Sequence, residues 1–333
     1  MSLDTSFNRK TVLLCGSLLT LFGCASSPHD PKEKFYLIAS NIKVPYWQTA
    51  ANGFIREATL MGVKAEMVGP DTYDPKAEEA EISRVAKLKP SGILISVADA
   101  AMLTPAINSA VSSGVPVITI DSDDPNSKRL MFIGTNNYDA GLMGGKTLVK
   151  QMNGKGNLVV LTMPGQANLN ERLHGYKDAI ADHPGLKIVQ TVDIKGDPRI
   201  AFDTTTDLIK KNAKIDGFIC LEALAGKEVA EVFDRNNVSG KTIMAFDTDE
   251  GTLNWIQKGK IAATIAQKPY TMAFFGLQML DTFVHRKLKT LDGNYAQDPF
   301  SPIPTFIDTG ATLIDKGNVD VFLKARESVK SES

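Results

Sequence analysis

Ten side chains stand out by type and by place: Tyr46, Trp47, Ser96, Asp121, Asn168, Arg172, Asp197, Glu222, Asp247 and Gln267. Each closes or follows a short apolar run, as Asp121 does in VITIDSDD, Asp247 in MAFDTD and Gln267 in TIAQKP. Carboxylates and amides form paired hydrogen bonds with vicinal hydroxyls, a guanidinium fork donates to two oxygens at once, and aromatic faces lie against the C–H patch of a ring. The chemistry on offer is recognition of a hydroxylated small molecule. A missing hydroxyl would leave a buried partner unpaired at a cost of about 1–3 kcal/mol, so a few such contacts suffice for selectivity.

No comparable set points to bond-making chemistry. His29, His174, His183 and His285 are scattered, and no spacing among them suits a metal or a triad. AGLMGGK carries three glycines ahead of a helix but lacks both the GxGxxG order and a GK[ST] ending, so no phosphate cradle is indicated. There is no G-x-S-x-G, and NVS at 237–239 reads as a loop. The expectation is no catalysis, no cofactor and no metal. Each singled-out residue also has a plainer use: Tyr46 and Trp47 as a staple on the following helix, Asp121 and Asp247 as helix caps or Asx turns, Glu222 as an exposed acid. Trp255, at helical spacing with Leu253 and Ile256, reads as packing.

Positioning these residues requires strands with polar C-terminal ends. KFYLIAS, VKAEMVG, GILISV, VPVITID and LMFIGT read as strands in the first half, separated by helical WQTAANGFIREATLMG, PKAEEAEISRVAKLKP and AAMLTPAINSAVSSG. NLVVLTM, LKIVQTV, GFICLE, TIMAFD and KIAATIAQ repeat the theme, alternating with ERLHGYKDAIADHPG, PRIAFDTTTDLIKKN, AGKEVAEVFDRNN and EGTLNWIQKG. YTMAFFGLQMLDTFVHRKL adds an amphipathic helix and TFIDTGATLI a final strand. Two successive βα arrays predict two similar α/β domains, each a mostly parallel sheet flanked by helices. Ligands enter such sheets at the C-terminal strand ends, so the ten residues would line one cleft between the domains. Arg172 falls in an expected first helical turn, where a cation opposes the helix dipole, which favours an anionic or hydroxylated partner over an idle surface role.

A length of 333 residues also favours two domains. A net charge of -1, with 23% charged and 43% hydrophobic residues, describes an ordinary globule and offers no basic stripe for nucleic acid. Arg9 and Lys10 precede TVLLCGSLLTLFGC, an apolar run too short to span a bilayer and typical of an export signal. It closes on Leu21-Phe22-Gly23-Cys24, which resembles the bacterial lipobox, with Phe22 larger than that pattern usually carries. The resemblance implies diacylglyceryl modification of Cys24, a periplasmic or extracytoplasmic protein held to the membrane by that lipid, and ASSPHDPKEK as tether. Cys220 then stands alone in GFICL as a buried structural thiol.

From about Phe35 to about Leu313 the chain resembles the ribose and galactose class of periplasmic binding proteins, the sugar-capturing components of bacterial ABC importers. The matching pieces are the opening strand followed by Pro-aromatic-aromatic, VPVITID, IGTNNYDAGLMGG, NERLHGY, FDTD and GKIAATIAQKP. The resemblance implies Rossmann-like domains joined by three hinge crossovers near 135–138, 266–269 and 301–305, closing like a Venus flytrap on a monosaccharide or related polyol. It implies delivery to an ABC permease and its ATPase, action as a monomer, and ligand contacts by Tyr46, Trp47, Asp121, Arg172, Asp247 and Gln267. Residues 1–23 would be the signal, 24–34 the tether, 35–136 plus 268–302 the N-terminal domain, and 137–267 plus 303–333 the C-terminal domain.

Departures from the ribose binders concern the ligand. Asp121-Ser122 stands where they carry Asp-Arg, Glu222 and Ser96 each replace an asparagine, and Asp197 stands about where an aromatic would be. A lost cation and added acids turn the expectation from ribose toward a ligand with more hydroxyls, a larger ring or an amine. Two other classes are weighed beside import. A sensory or chemotaxis lipoprotein for a sugar-like signal fits the same residues, whereas a repressor of the lac type would need a helix-turn-helix where the export signal stands.

Overall fold

Short β-branched runs bounded by capped helices build both halves of the molecule. The structure is a computed structural model that describes residues 29–332 apart from 31, 212, 287–300 and 302, with the backbone alone for 326–332. The expected signal and Cys24 lie outside the described residues. The first half runs β1 (Lys34–Ile38), α1 (Pro45–Met61), β2 (Lys64–Val68), α2 (Pro75–Lys87), β3 (Gly92–Ile95), α3 (Ala100–Ser112), β4 (Val117–Ile120) and β5 (Phe132–Gly134). The second runs α4 (Asn137–Met152), β6 (Lys155–Thr162), α5 (Ala167–Ile180), β7 (Gly185–Asp193), α6 (Pro198–Lys210), β8 (Gly217–Cys220), α7 (Ala225–Arg235), β9 (Thr242–Phe246), α8 (Glu250–Gln257) and β10 (Ala263–Ala266). Four elements follow: α9 (Pro269–His285), β11 (Phe306–Asp308), β12 (Thr312–Asp315) and α10 (Val319–Glu332).

The sheets are ordered β11-β5-β4-β3-β1-β2 and β12-β10-β9-β8-β6-β7. Five consecutive strands of each half thus share one order, second, first, third, fourth, fifth, and pair in parallel. β3, β4, β8 and β10 are buried along their whole length, as parallel strands covered on both faces must be. Aspartates mark several helix starts: Asp74 accepts from the N–H groups of Lys76 and Ala77, and Asp99 and Asp249 cap α3 and α8 in the same way.

The structure departs from the sequence reading at five places. Tyr46 and Trp47 lie in the first turn of α1, which Pro45 opens two residues ahead of the expected start at Trp47. AGLMGGK lies inside α4, where its glycines let α5 approach. A β-carbon at Gly141 would sit 2.1 Å from the Arg172 carbonyl oxygen, and one at Gly144 would sit 2.2 Å from the Tyr176 hydroxyl. α5 begins at Ala167, one turn earlier than expected, which moves Arg172 out of the first turn. TFIDTGATLI is two strands, β11 parallel to β5 in one sheet and β12 antiparallel to β10 in the other. The third passage between sheets is therefore at 309–311, later than the expected 301–305, and β11 extends the first half to Asp308. The other two passages lie between β5 and α4 and between β10 and α9. Among the described residues no helix is long and apolar enough to cross a membrane.

Candidate functional site

The C-terminal ends of both sheets face one cavity with ≈ 510 Å³ of empty space, its open mouth included. Eight of the ten singled-out residues line it: Tyr46, Trp47, Asp121, Asn168, Arg172, Glu222, Asp247 and Gln267. Two aspartates occupy equivalent places in the two halves. Asp121 follows β4 with φ 65° and Asp247 follows β9 with φ 67°, both in the left-handed region that aspartate tolerates better than most residues. Each is tied to the next strand by its own N–H, Asp121 donating to the Ile133 carbonyl at 3.1 Å and Asp247 to that of Ile265 at 2.9 Å. The sheet thus holds the backbone while the bend carries the carboxylate into the cleft.

Asp121 joins the halves. The Tyr46 hydroxyl donates to its Oδ1 at 2.7 Å, and the Asn168 amide, from α5 of the opposite half, donates to its Oδ2 at 3.3 Å. Asp247 receives the Gln267 amide on Oδ1 at 3.0 Å. Arg172 is 1% exposed; its Nε donates to Asn137 Oδ1 and its Nη1 to the Leu221 carbonyl, both at 2.8 Å, and its guanidinium lies 4.4 Å from the centre of the Phe246 ring. Two residues that line the cavity each carry a buried polar atom with no partner, the Nη2 of Arg172 and the Oε1 of Gln267. Tyr46 and Trp47 meet edge to face, ring centres 5.3 Å apart, and Trp47 also packs into the core of the first half.

Three acids share this cavity with one guanidinium. Burial pushes Asp247 up to about 7 against the opposing pull of Arg172 and Gln267, with Asp121 adding to the rise. Burial likewise raises Glu222 to about 7, countered by the backbone N–H groups of Leu224 and Ala225. Asp121 is raised by burial too, with Arg172 and the Tyr46 hydroxyl drawing it back. Glu222 lines the cavity and each of its oxygens accepts one backbone N–H, from Leu224 and Ala225 at 2.7 Å each, just ahead of α7.

Two residues lie elsewhere. Asp197 caps α6 through the Arg199 N–H and pairs with the Arg199 guanidinium at 2.6 Å, while its neighbour Gly196 takes the place on the cavity wall. Ser96 is wholly buried behind the cavity at the end of β3. Asn41, Tyr73 and Gln166 line the cavity without having been singled out, although each also follows a strand end. Tyr73 donates to the Ala98 carbonyl at 2.7 Å and abuts Gly196 of the other half so closely that a β-carbon there would lie 2.5 Å away.

Cys220 is buried in β8, its thiol pushed up by burial, and takes no part in the site. The histidines are not all scattered: His29 and His285, 256 positions apart, meet at the C-terminal end of α9. Gln267 precedes the other end of that 17-residue helix, about 25 Å away.

Residues 35–287 match the sequence profile of the periplasmic binding protein domain. The ribose import binding protein of Bacillus subtilis is 26% identical over 296 residues, covering 83% of this chain and 93% of that protein. Among solved structures, the arabinose-binding protein AraP of Geobacillus stearothermophilus is 31% identical with a TM-score of 0.72, over 88% of this chain and 99% of that one. GanP, a glucose-galactose binding protein of the same organism, superposes with a TM-score of 0.79 at 27% identity, over 87% of this chain and 99% of its own.

Proposed function

The chain belongs to the periplasmic binding protein family, and from that premise we propose that it captures a monosaccharide or related polyol outside the cytoplasm and delivers it to an ABC-type permease. One observation carries the reading: two residues lining the same cavity hold a buried unpartnered donor, Arg172 Nη2, and a buried unpartnered acceptor, Gln267 Oε1. A hydroxyl group supplies an acceptor and a donor at once, so a polyol satisfies both where a purely anionic or apolar ligand satisfies at most one. Asp121 and Asp247 add carboxylate acceptors, and the Tyr46–Trp47 pair offers a face for the C–H side of a ring. Relatives named for ribose, arabinose, glucose and galactose support that ligand class.

Binding in this account involves no bond-making. The two halves close on the ligand through the three passages between the sheets, and the ligand stabilises closure only by as much as it prefers the closed form. A monomer suffices, docking on a permease whose ATPase drives release, with diacylglyceryl-Cys24 holding the protein at the membrane. A thermal-shift screen against pentoses, hexoses, deoxy and amino sugars, sugar alcohols and inositols, with amino acids as controls, tests the ligand class. At least one carbohydrate or polyol should raise the melting temperature. Stabilisation by amino acids alone would refute the reading.

A further inference from the structure

At the far end of α9 four side chains from two distant segments converge. His29 and Glu33 come from the turn ahead of β1, and Asp281 and His285 lie one turn apart on α9, so both project from the same helix face. Each offers one atom, and these four atoms lie within 4.8 Å of one another. His29 Nδ1 is 3.2 Å from His285 Nε2, 3.4 Å from Glu33 Oε2 and 3.2 Å from Asp281 Oδ1. His285 Nε2 is 3.3 Å from each of the same two carboxylate oxygens. Five of the six edges of the group are therefore nearly equal, and the sixth, between the two carboxylate oxygens, lies within 4.8 Å.

Those edges have a specific meaning. Four ligands placed tetrahedrally at zinc distances of about 2.0–2.1 Å are separated by about 3.3 Å, whereas neighbouring ligands of an octahedral ion at the same distance stand about 2.9 Å apart. Protonating both rings at these nitrogens sets two N–H donors 3.2 Å apart. Asp281 Oδ1 is buried within 3.3 Å of both rings yet hydrogen-bonded to neither. The other oxygen of Glu33 is held by the Asp30 N–H at 3.1 Å, while Oε2 turns inward to His285 Nε2 at 3.3 Å. His285, at 34% exposed the most open of the four, leaves an entry side.

We infer that His29, Glu33, Asp281 and His285 form a tetrahedral zinc site that clasps the start of the globule to α9. Two imidazoles with two single carboxylate oxygens suit zinc, while calcium and magnesium call for more oxygen ligands. Bound zinc ties the turn ahead of β1 to the C-terminal end of α9, well away from the cleft. The site rests on these four residues alone and is independent of the sugar reading.

The test uses the full chain in detergent, made without a polyhistidine tag, stripped with chelator and dialysed against buffered zinc. Wild type and His174→Ala should each retain one zinc per chain. His29→Ala and His285→Ala should bind more weakly by over the roughly 10- to 100-fold that losing an outer-shell partner costs. Both variants should melt with the wild type in chelator, and only the wild type should gain on adding zinc. Cobalt substitution should give the intense visible bands of a four-coordinate ion. Absence of retained zinc, undiminished binding in either variant, or a six-coordinate cobalt spectrum would each overturn the site.

Discussion

Asp121 and Asp247 show why aspartate stands at these two strand ends. The left-handed backbone there disfavours most side chains, and asparagine is the substitute that keeps both shape and backbone, so it isolates the charge. Burial holds Asp247 near 7 in the folded chain against an ordinary value of 3.8, so between about pH 4 and 7 the unfolded chain releases the proton first. A carboxyl raised in this way contributes stability that is whole below pH 4 and is lost as pH rises through 7. Asp247→Asn should therefore gain on the ligand-free wild type as pH rises from 4 to 8, by up to about 4 kcal/mol. Urea denaturation of both proteins at several pH values measures this; a pH-independent difference would contradict it. Most of the cavity was legible because acids, amides and aromatics at strand ends are conspicuous. Asp197 misled because a cap and a ligand contact look alike in sequence, and only the Arg199 pairing distinguishes them. Glu222 reached the wall, but with its carboxylate bonded to the backbone at the start of α7.

Elements were legible where periodicity and caps agreed, as in α2 with Asp74 ahead of Pro75. They were illegible where one residue type serves two ends. Three glycines in α4 look like a loop, yet they are there because α5 passes too close for side chains, and that distance is a tertiary fact. The same contact sets a prediction. Alanine normally improves a helix interior over glycine by about 1 kcal/mol, but at Gly141 the added carbon would meet the Arg172 carbonyl oxygen. Gly141→Ala should instead cost about 1–3 kcal/mol and weaken ligand binding, because Arg172 moves with α5. A stability gain in urea titration would show that the helices are free to part. TFIDTGATLI reads as one strand because Gly310 is its only break, and its division between two sheets depends on partners distant in sequence.

At the scale of the whole molecule, two similar sheets with facing strand ends follow from alternating βα patterns, while the relation between them rests on contacts such as Asn168 with Asp121 and Tyr73 against Gly196. None of these is encoded locally. The proposed N-terminal anchor belongs to this scale too: Cys24→Ser should release the protein from the membrane fraction and abolish labelling by radioactive fatty acid, with the melting temperature unchanged. Membrane retention of that variant would remove the lipid from the account. The central claim is that the cavity between the sheets holds a polyol through Asp121 and Gln267. Isothermal titration of the best sugar from the screen into wild type, Asp121→Asn and Gln267→Met tests it most directly. The account predicts one site per chain and an affinity weakened about tenfold or more in each variant, the loss expected when a buried polar partner goes unpaired. Unchanged affinity in both variants would contradict it and place the sugar elsewhere.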